Sequence, residues 1–312
     1  MSRVYRPADF EAFLRKHSDT SLSRQSGQND RAQMDPGSRA GSPSDRQSRE
    51  CRDQKDSNRD DSDRFRTTYR DRNREYSLRE SEVRTLIELG KFRVVPADDL
   101  ARLSYRCDRS RMENDIQHLR RQGLIEQRSI EGHESYPKQV LALTKEGHKL
   151  LSHHNFVPDG QAIYHGFAKP KEARHDADLY RLYHKVAREI DDVGGKVRRV
   201  ILDYELKQEL YRKLSRVDPN KKLAYERIRV ANEFDLKVVN DKIPVPDLRI
   251  EYEDECRELR RLDLEIATRD YRPQGLGEKA KAGFHLFARQ QDHPKLRRVL
   301  DSHEISARIF AL

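Results

Sequence analysis

Two acidic segments in the last third of the chain carry residues suited to binding a divalent cation. Asp247 lies in IPVPDLRIEY, and Asp263 and Glu265 lie in LDLEIATRDY. Side chains alternate between the two faces of a strand, so Asp263 and Glu265 share one face. A turn at 253–255 predicts a hairpin that brings Asp247 beside Glu265. Neighbouring carboxylates are hard oxygen ligands for Mg²⁺ or Mn²⁺, cations that promote attack on a phosphodiester.

Cationic and imidazole groups can complete such a site. The helix predicted over 276–289 carries Lys279 and Lys281 near its start. An ammonium group beside two carboxylates can orient a nucleophile or stabilise the charged transition state of phosphoryl transfer. The pair His175 and Asp176, near the start of an earlier helix, can also line a site.

The elements that must position these residues form a unit over 172–312. An amphipathic helix is predicted over 173–193, and an alternating and then apolar strand over 196–204. The later elements are a helical stretch, two strands, a helix, a strand and a last helix, at 208–216, 248–252, 258–267, 276–289, 295–300 and 302–312. This mixture of helices and strands predicts an α+β fold.

A second unit, over 77–153, precedes this one, and a linker rich in Pro and Gly over 154–171 joins the two. Ser77 and Glu80 match a capping box at the start of its first helix. The predicted elements are helices at 77–89, 96–103 and 108–123, strands within 124–130 and 138–144, and a fourth helix from 144. This order is typical of a winged helix-turn-helix domain.

The third helix of that unit carries side chains of the kind that read DNA. Arg can form a forked pair of hydrogen bonds with guanine, and Asn or Gln can do so with adenine. The candidate DNA-binding residues are Arg106, Arg109, Arg111, Asn114, Gln117, His118 and Arg121. Acidic residues on the same helix dilute the positive charge, so a solvated helix or a protein-binding module is the alternative interpretation.

The order helix, strand, Pro-Asp strand, Asp/Glu strand, helix, strand resembles that of PD-(D/E)xK nucleases. Joined to a winged helix, it resembles the replication-relaxation family, which is similar to plasmid mobilisation relaxases of the MobC type. The stretches that carry the resemblance are LTKEGHKLL, ARHDADLYRLYHKV, VPDLRIEY, LDLEIATRDY and EKAKAGFHLFA. The resemblance covers 77–312 in organisation. It implies a winged helix followed by a restriction-endonuclease-like α/β domain.

This resemblance also implies roles for single residues. Asp247 and Glu265 would be metal ligands and catalytic residues. The position where the motif has its lysine is Ala267 here, so the catalytic lysine would be Lys279 from the next helix. Glu205, just after the first strand, would be an additional metal ligand. Asp263 and Lys281 take these places if the register differs by one step.

Together these features predict a DNA-binding, Mg²⁺-dependent DNA endonuclease or nickase. It would be relaxase-like and act in replication or transfer of a plasmid or other mobile element. Attack by water and attack by a tyrosine, with Tyr252 and Tyr271 nearby in sequence, both remain open. The alternative is a non-catalytic DNA-binding protein, such as a replication initiator, a regulator or an accessory subunit. Double-stranded DNA is the expected partner of both.

Composition sets the limits of these expectations. The 312 residues carry a net charge of +9, and hydrophobic residues are only 35% of them. The polar excess is concentrated in 1–76, where 20–63 has the composition of a disordered segment. Phe10, Phe13 and Leu14 share one helical face there, which fits either a motif that docks on another mobile-element or replication protein or a local helix without a partner. No apolar stretch long enough for a signal peptide or a membrane span occurs, and three Cys without a CxxC pair fit a reduced chain, so we expect a cytoplasmic protein with no membrane partner.

Overall fold

The structure, a computed structural model, describes residues 65–130, 139–167, 172–217 and 223–312. These residues form a mixed α and β fold. The predicted disordered segment 20–63 and the docking motif at Phe10, Phe13 and Leu14 lie outside them. Within the described ranges, the helices are all too short or too polar to cross a membrane.

The N-terminal unit begins with a β-hairpin and continues as helices around a small antiparallel sheet. Its elements are β1 (Thr67–Asp71), β2 (Arg74–Leu78), α1 (Glu80–Lys91), β3 (Val95–Pro96), α2 (Ala97–Leu103), α3 (Arg109–Arg121), β4 (Ile125–Ser129), β5 (Gln139–Leu143) and α4 (Lys145–His153). The sheet has the order β3-β5-β4. Asp108 and Thr144 cap α3 and α4 through their side chains, as residues of their type commonly do.

The start of α1 differs from its prediction. Ser77 lies in β2, where it pairs with Thr68 across the hairpin, so it does not cap the helix. The N-cap residue is Arg79, and its backbone N–H donates a hydrogen bond to the carboxylate of Glu82 in the first turn at 2.8 Å. The hairpin also places ordered residues inside the segment assigned to the tail, and Tyr76 joins the core.

The connecting segment packs against both units. The side chain of Gln161 pairs with the backbone N–H and carbonyl of Val200, each at 2.9 Å. Tyr164 donates its backbone N–H to Gly90 at 2.8 Å. Cys256 is an exposed free thiol.

The C-terminal unit is a five-stranded sheet with helices on its faces. Its elements are α5 (Ala173–Asp192), β6 (Lys196–Leu202), α6 (Asp203–Leu214), α7 (Leu223–Glu233), β7 (Leu248–Glu253), β8 (Leu259–Ile266), α8 (Pro273–Ala282), β9 (His285–Ala288), α9 (His293–Ser302) and β10 (Ile309–Ala311). The strand order is β6-β7-β8-β9-β10. The pairs β6–β7 and β7–β8 are antiparallel, whereas β8–β9 and β9–β10 are parallel.

The last elements contradict the sequence predictions. The strand predicted at 295–300 is part of α9, because Leu296, Val299 and Leu300 have helical spacing behind Pro294. The fourth strand is β9, which the predicted helix 276–289 had included. Gly283, at φ +91°, ends α8 in the left-handed conformation that favours glycine and frees the following residues for β9. The predicted last helix is replaced by β10.

The two faces of the large sheet differ in character. Ile250 of β7 and Leu262 and Leu264 of β8 pack with Val186 of α5 in the main core, which extends into the N-terminal unit. The opposite face carries charged side chains from the same strands, among them Glu265. This division follows the alternation of side chains along a strand, and it brings the acidic residues of the candidate site to one face.

Candidate functional site

Asp247 and Glu265 lie side by side at one end of the β7–β8 hairpin. Leu248 pairs with Leu264, so the next residues, Asp247 and Glu265, face each other. The Asp247 backbone N–H donates to Glu265 Oε2 at 3.2 Å, and the Ile266 N–H donates to Asp247 Oδ2 at 2.9 Å. The hairpin therefore fixes both carboxylates through backbone hydrogen bonds, as the spacing of the two segments predicts.

Lys279 joins this pair from α8. Its Nζ lies 2.8 Å from Glu265 Oε2 and 2.6 Å from the carbonyl oxygen of Val245. Lys279 thus contacts the Glu265 carboxylate of β8 and the segment that precedes Asp247. The structure brings Asp247, Glu265 and Lys279 together, and we call these three side chains the carboxylate–lysine cluster.

Glu265 is buried deeply for an acidic residue. Its exposed fraction is 1%, and its second oxygen, Oε1, accepts a hydrogen bond from the Tyr271 hydroxyl. Burial and, next, the charge of Asp247 raise the pKa of Glu265 from 4.5 to about 7, although Lys279 and Tyr271 act in the opposite direction. The pKa of Glu265 therefore lies near neutral pH, and shifted pKa values of this kind are common at functional sites.

Asp247 is the more accessible carboxylate of the cluster. Its side chain is 16% exposed, and His175 Nε2 lies 3.8 Å from its Oδ1. His175 belongs to the first turn of α5, and Tyr271 lies in the segment between β8 and α8. The sequence positions of His175 and Tyr271 do not by themselves indicate contacts with Asp247 and Glu265. His175 was marked only by its place near a helix start, and Tyr271 only by its proximity in sequence.

The other candidates for this site have different partners. Glu205, the predicted additional ligand, pairs with Arg199 and accepts a hydrogen bond from the Tyr164 hydroxyl at 3.1 Å. Burial raises its pKa. Its neighbour Asp203 is the α6 residue that reaches the site, since its backbone N–H donates to the carbonyl oxygen of Asp247 at 3.1 Å.

Asp263 and Lys281, the alternatives for a displaced register, are occupied elsewhere or exposed. Asp263 forms a two-pronged ion pair with Arg249, at 2.6 and 2.8 Å. Arg249 is 3% exposed and also donates to the carbonyl oxygen of Phe234. Asp263 therefore neutralises a buried guanidinium, and Lys281 is exposed on α8. Tyr252, the other tyrosine near the cluster in sequence, is buried in the main core.

The predicted DNA-binding residues of α3 fall into two groups. Arg106, Asn114, Gln117 and Arg121 are exposed, and within the described residues their side chains form no hydrogen bond or ion pair. Arg109 is exposed but already paired, with Asp98 at 3.0 Å and Glu113 at 2.9 Å. Arg111 is half-buried on this helix.

His118 serves the packing of the N-terminal unit. Its ring lies between Arg66 and the buried Glu82, at 2.8 and 2.9 Å, and contacts Gln122. An imidazole held in this way is a structural contact of α3 with α1 and with the residue that precedes β1. The exposed members of the predicted set are therefore the first group together with Arg109.

The chain as described offers a small donor set for a metal. Among the described residues there is no group of three or more His, Cys, Asp and Glu side chains arranged to hold an ion. Asp247 and Glu265 are thus a two-carboxylate set. Comparison of the chain with protein-family models, with curated proteins and with solved structures gives no match.

Proposed function

We propose that this protein is a DNA-binding, Mg²⁺-dependent DNA endonuclease or nickase of relaxase-like type, acting in plasmid or mobile-element replication or transfer. The observation that carries the proposal is the carboxylate–lysine cluster. Two acidic residues from neighbouring strands and a lysine from the next helix meet at one end of a sheet. This grouping suits the binding and cleavage of a phosphodiester.

The architecture supports the same proposal. The chain contains helix α5, the antiparallel strands β6 to β8, helix α8 and the parallel strand β9 in this order, with α6 and α7 inserted between β6 and β7. Apart from that insertion, the order resembles that of the PD-(D/E)xK fold. The N-terminal unit has the element order of a winged helix, with α3 as its recognition helix. These assignments belong to the proposal, together with the resemblance to the replication-relaxation family.

The residues of the cluster fit a hard divalent cation. Asp247 turns one oxygen toward the half-exposed His175, while its other oxygen is held by the backbone. Carboxylate oxygens suit Mg²⁺ or Mn²⁺ better than softer metals. When bound, such an ion offsets negative charge on a phosphoryl group. The side chains that would hold it are Asp247 and Glu265.

The remaining residues have definable tasks in this reaction. The ammonium group of Lys279 donates hydrogen bonds within the cluster, so it can neutralise charge on a phosphate oxygen. His175 faces Asp247 from α5 and can hold or transfer a proton at its Nε2 atom. The exposed arginines Arg106 and Arg121 would contact DNA phosphates or base edges and so orient the duplex.

A plasmid-nicking assay tests the catalytic proposal. Supercoiled plasmid incubated with Mg²⁺ or Mn²⁺ is expected to be nicked by the wild type and to stay supercoiled with Asp247→Asn or Lys279→Ala. Glu251→Gln is the matched control, because it removes a carboxylate from the same face of β7 away from the cluster. Unchanged plasmid with the wild type, or full activity of Asp247→Asn, would refute a nuclease centred on this cluster.

One observation favours the non-catalytic alternative, a DNA-binding initiator, regulator or accessory subunit. Both oxygens of Glu265 are already bonded, to Lys279 and Tyr271, and the residue is almost fully buried. A cation reaching Glu265 must displace one of these partners. If the protein binds duplex DNA but neither nicks it nor gains stability from Mg²⁺, the cluster is a structural ion pair.

A further inference from the structure

Exposed tyrosines lie on the helix that starts at the carboxylate–lysine cluster. Helix α6 begins with Asp203, whose backbone N–H bonds to Asp247. Tyr204 and Tyr211 of this helix are 41% and 61% exposed. They are seven residues apart, so they lie on the same side of the helix, about 10 Å apart along its axis. An aromatic surface thus leads away from the candidate site.

A lysine lies between the two tyrosines. Lys207 is one turn from each and bonds to Asp203 Oδ2 at 2.6 Å. Burial lowers its pKa, but Asp203 and Asp247 raise it, and the net change is upward. The Lys207 side chain is 45% exposed, so its ammonium group is accessible to solvent as well as to Asp203. We call Tyr204, Lys207 and Tyr211 the α6 stripe.

The first ring of the stripe is held in place by its neighbours. Tyr164 packs against Tyr204 with ring centroids 5.2 Å apart, and the Arg93 guanidinium lies 5.8 Å from the centre of the Tyr204 ring. A ring fixed in this way loses little conformational freedom when a ligand stacks on it. Arg93 is itself fixed by ion pairs with Asp176 at 2.9 Å and Glu172 at 3.3 Å.

We propose that the α6 stripe binds an unpaired nucleic-acid strand. Bases would stack on Tyr204 and Tyr211, and Lys207 would pair with a phosphate between them. Flat aromatic side chains alternating with cations are the recurrent means of binding single strands without sequence preference. Bases inside a duplex already stack on one another, so they cannot use these rings.

The position of the α6 stripe would place a bound strand next to the carboxylate–lysine cluster. An unpaired strand bound along α6 is directed at Asp247, because the helix begins at Asp203, whose backbone N–H bonds to the carbonyl oxygen of Asp247. Cleavage of the bound strand rests on the proposed nuclease function, because cleavage requires the carboxylate–lysine cluster. The binding itself needs neither a metal nor catalysis, so it is measurable when nicking fails.

The test measures binding of a short fluorescein-labelled oligothymidylate by anisotropy, in EDTA. The comparison ligand is an abasic strand of the same length, which keeps the phosphates and lacks the bases. Loss of one stacked base weakens binding by at least about fivefold. We therefore expect Tyr211→Ala to bind oligothymidylate at least about fivefold more weakly than the wild type and Tyr211→Phe to bind like the wild type. Leu259→Ala is the control, because it removes an exposed apolar side chain from the far end of β8.

Three results would overturn the proposal. One is equal affinity of the wild type for the abasic strand and for oligothymidylate. A second is equal weakening of single-strand and duplex binding by Tyr211→Ala, which would indicate a general DNA contact. The third is unchanged strand binding by Tyr204→Ala and Tyr211→Ala together with a change in oligomeric state, which would make the stripe a protein interface. Failure of plasmid nicking with intact strand binding would refute the nuclease alone.

Discussion

The buried charge of Glu265 gives a prediction about stability that is independent of any substrate. The pKa of Glu265 rises from 4.5 to about 7 on folding, chiefly because of burial. Below pH 4.5 the carboxyl is protonated in both states and has no effect. Between pH 4.5 and 7 the unfolded chain releases the proton while the folded chain keeps it, so the free energy of unfolding falls as pH rises.

The magnitude follows from the pKa change. One pKa unit corresponds to about 1.4 kcal/mol, so full ionisation of Glu265 costs the folded protein about 3 kcal/mol at pH 8. The variant Glu265→Gln cannot ionise and escapes this cost. Relative to the wild type, we expect it to gain about 2 to 3 kcal/mol in free energy of unfolding between about pH 5 and pH 8.

Urea unfolding of the full chain in EDTA, at the two pH values, measures this difference. The quantity of interest is the change with pH, because a constant offset between Glu and Gln cancels. Glu258→Gln serves as the control, since it removes an exposed glutamate from the same hairpin. Parallel pH dependence of wild type and Glu265→Gln would show that Glu265 is ionised at little cost, and the reasoning from burial would be refuted.

Three further predictions follow from the same contacts. Mg²⁺ at a hundred times its dissociation constant should stabilise the wild type by about 2.7 kcal/mol in thermal or urea unfolding and leave Glu265→Gln much less affected. Asp263→Ala should lose about 3 to 5 kcal/mol because Arg249 is left buried and unpaired, and the added change Arg249→Met should restore much of that loss. In titrations with duplex DNA at several salt concentrations, Arg121→Ala should lower the salt dependence by about one phosphate contact, whereas Arg109→Ala should change it less because Asp98 and Glu113 already neutralise that arginine.

Local sequence patterns predict the helices and strands whose ends are marked by capping or turn residues. Helix α3 was expected over 108–123 and lies at Arg109–Arg121, because Asp108 caps it and its apolar residues repeat at helical spacing. The C-terminal elements lack such signals. The run KLRRVL fits a strand when read alone, and only Pro294 and the packing of Leu296 and Leu300 make it a helix.

The site was predictable to the extent that strand pairing determines it. Asp247 and Glu265 meet because a hairpin joins them, and alternation chooses the face of Glu265. Glu205 lies just after β6 as expected, but it forms an ion pair with Arg199 of that strand. The contacts of His175 and Tyr271 depend on how α5 and the β8–α8 connection pack on the sheet. No local spacing encodes such packing, so sequence reasoning could only mark these two residues as nearby.

The energetic position of Glu265 is itself an argument about function. A glutamate on a central strand of a sheet, 1% exposed and next to another carboxylate, opposes the stability of the fold. Its hydrogen-bond partners do not remove the cost, because the pKa stays raised with Lys279, Tyr271 and the Asp247 backbone N–H all bonded to it. A glutamine would still accept the hydrogen bond from Tyr271 without charge, although Lys279 would then keep only the carbonyl oxygen of Val245 as its partner. An additional positive charge next to Glu265 would favour its ionised form and lower its pKa. This is the physical reason for proposing a cation at Asp247 and Glu265.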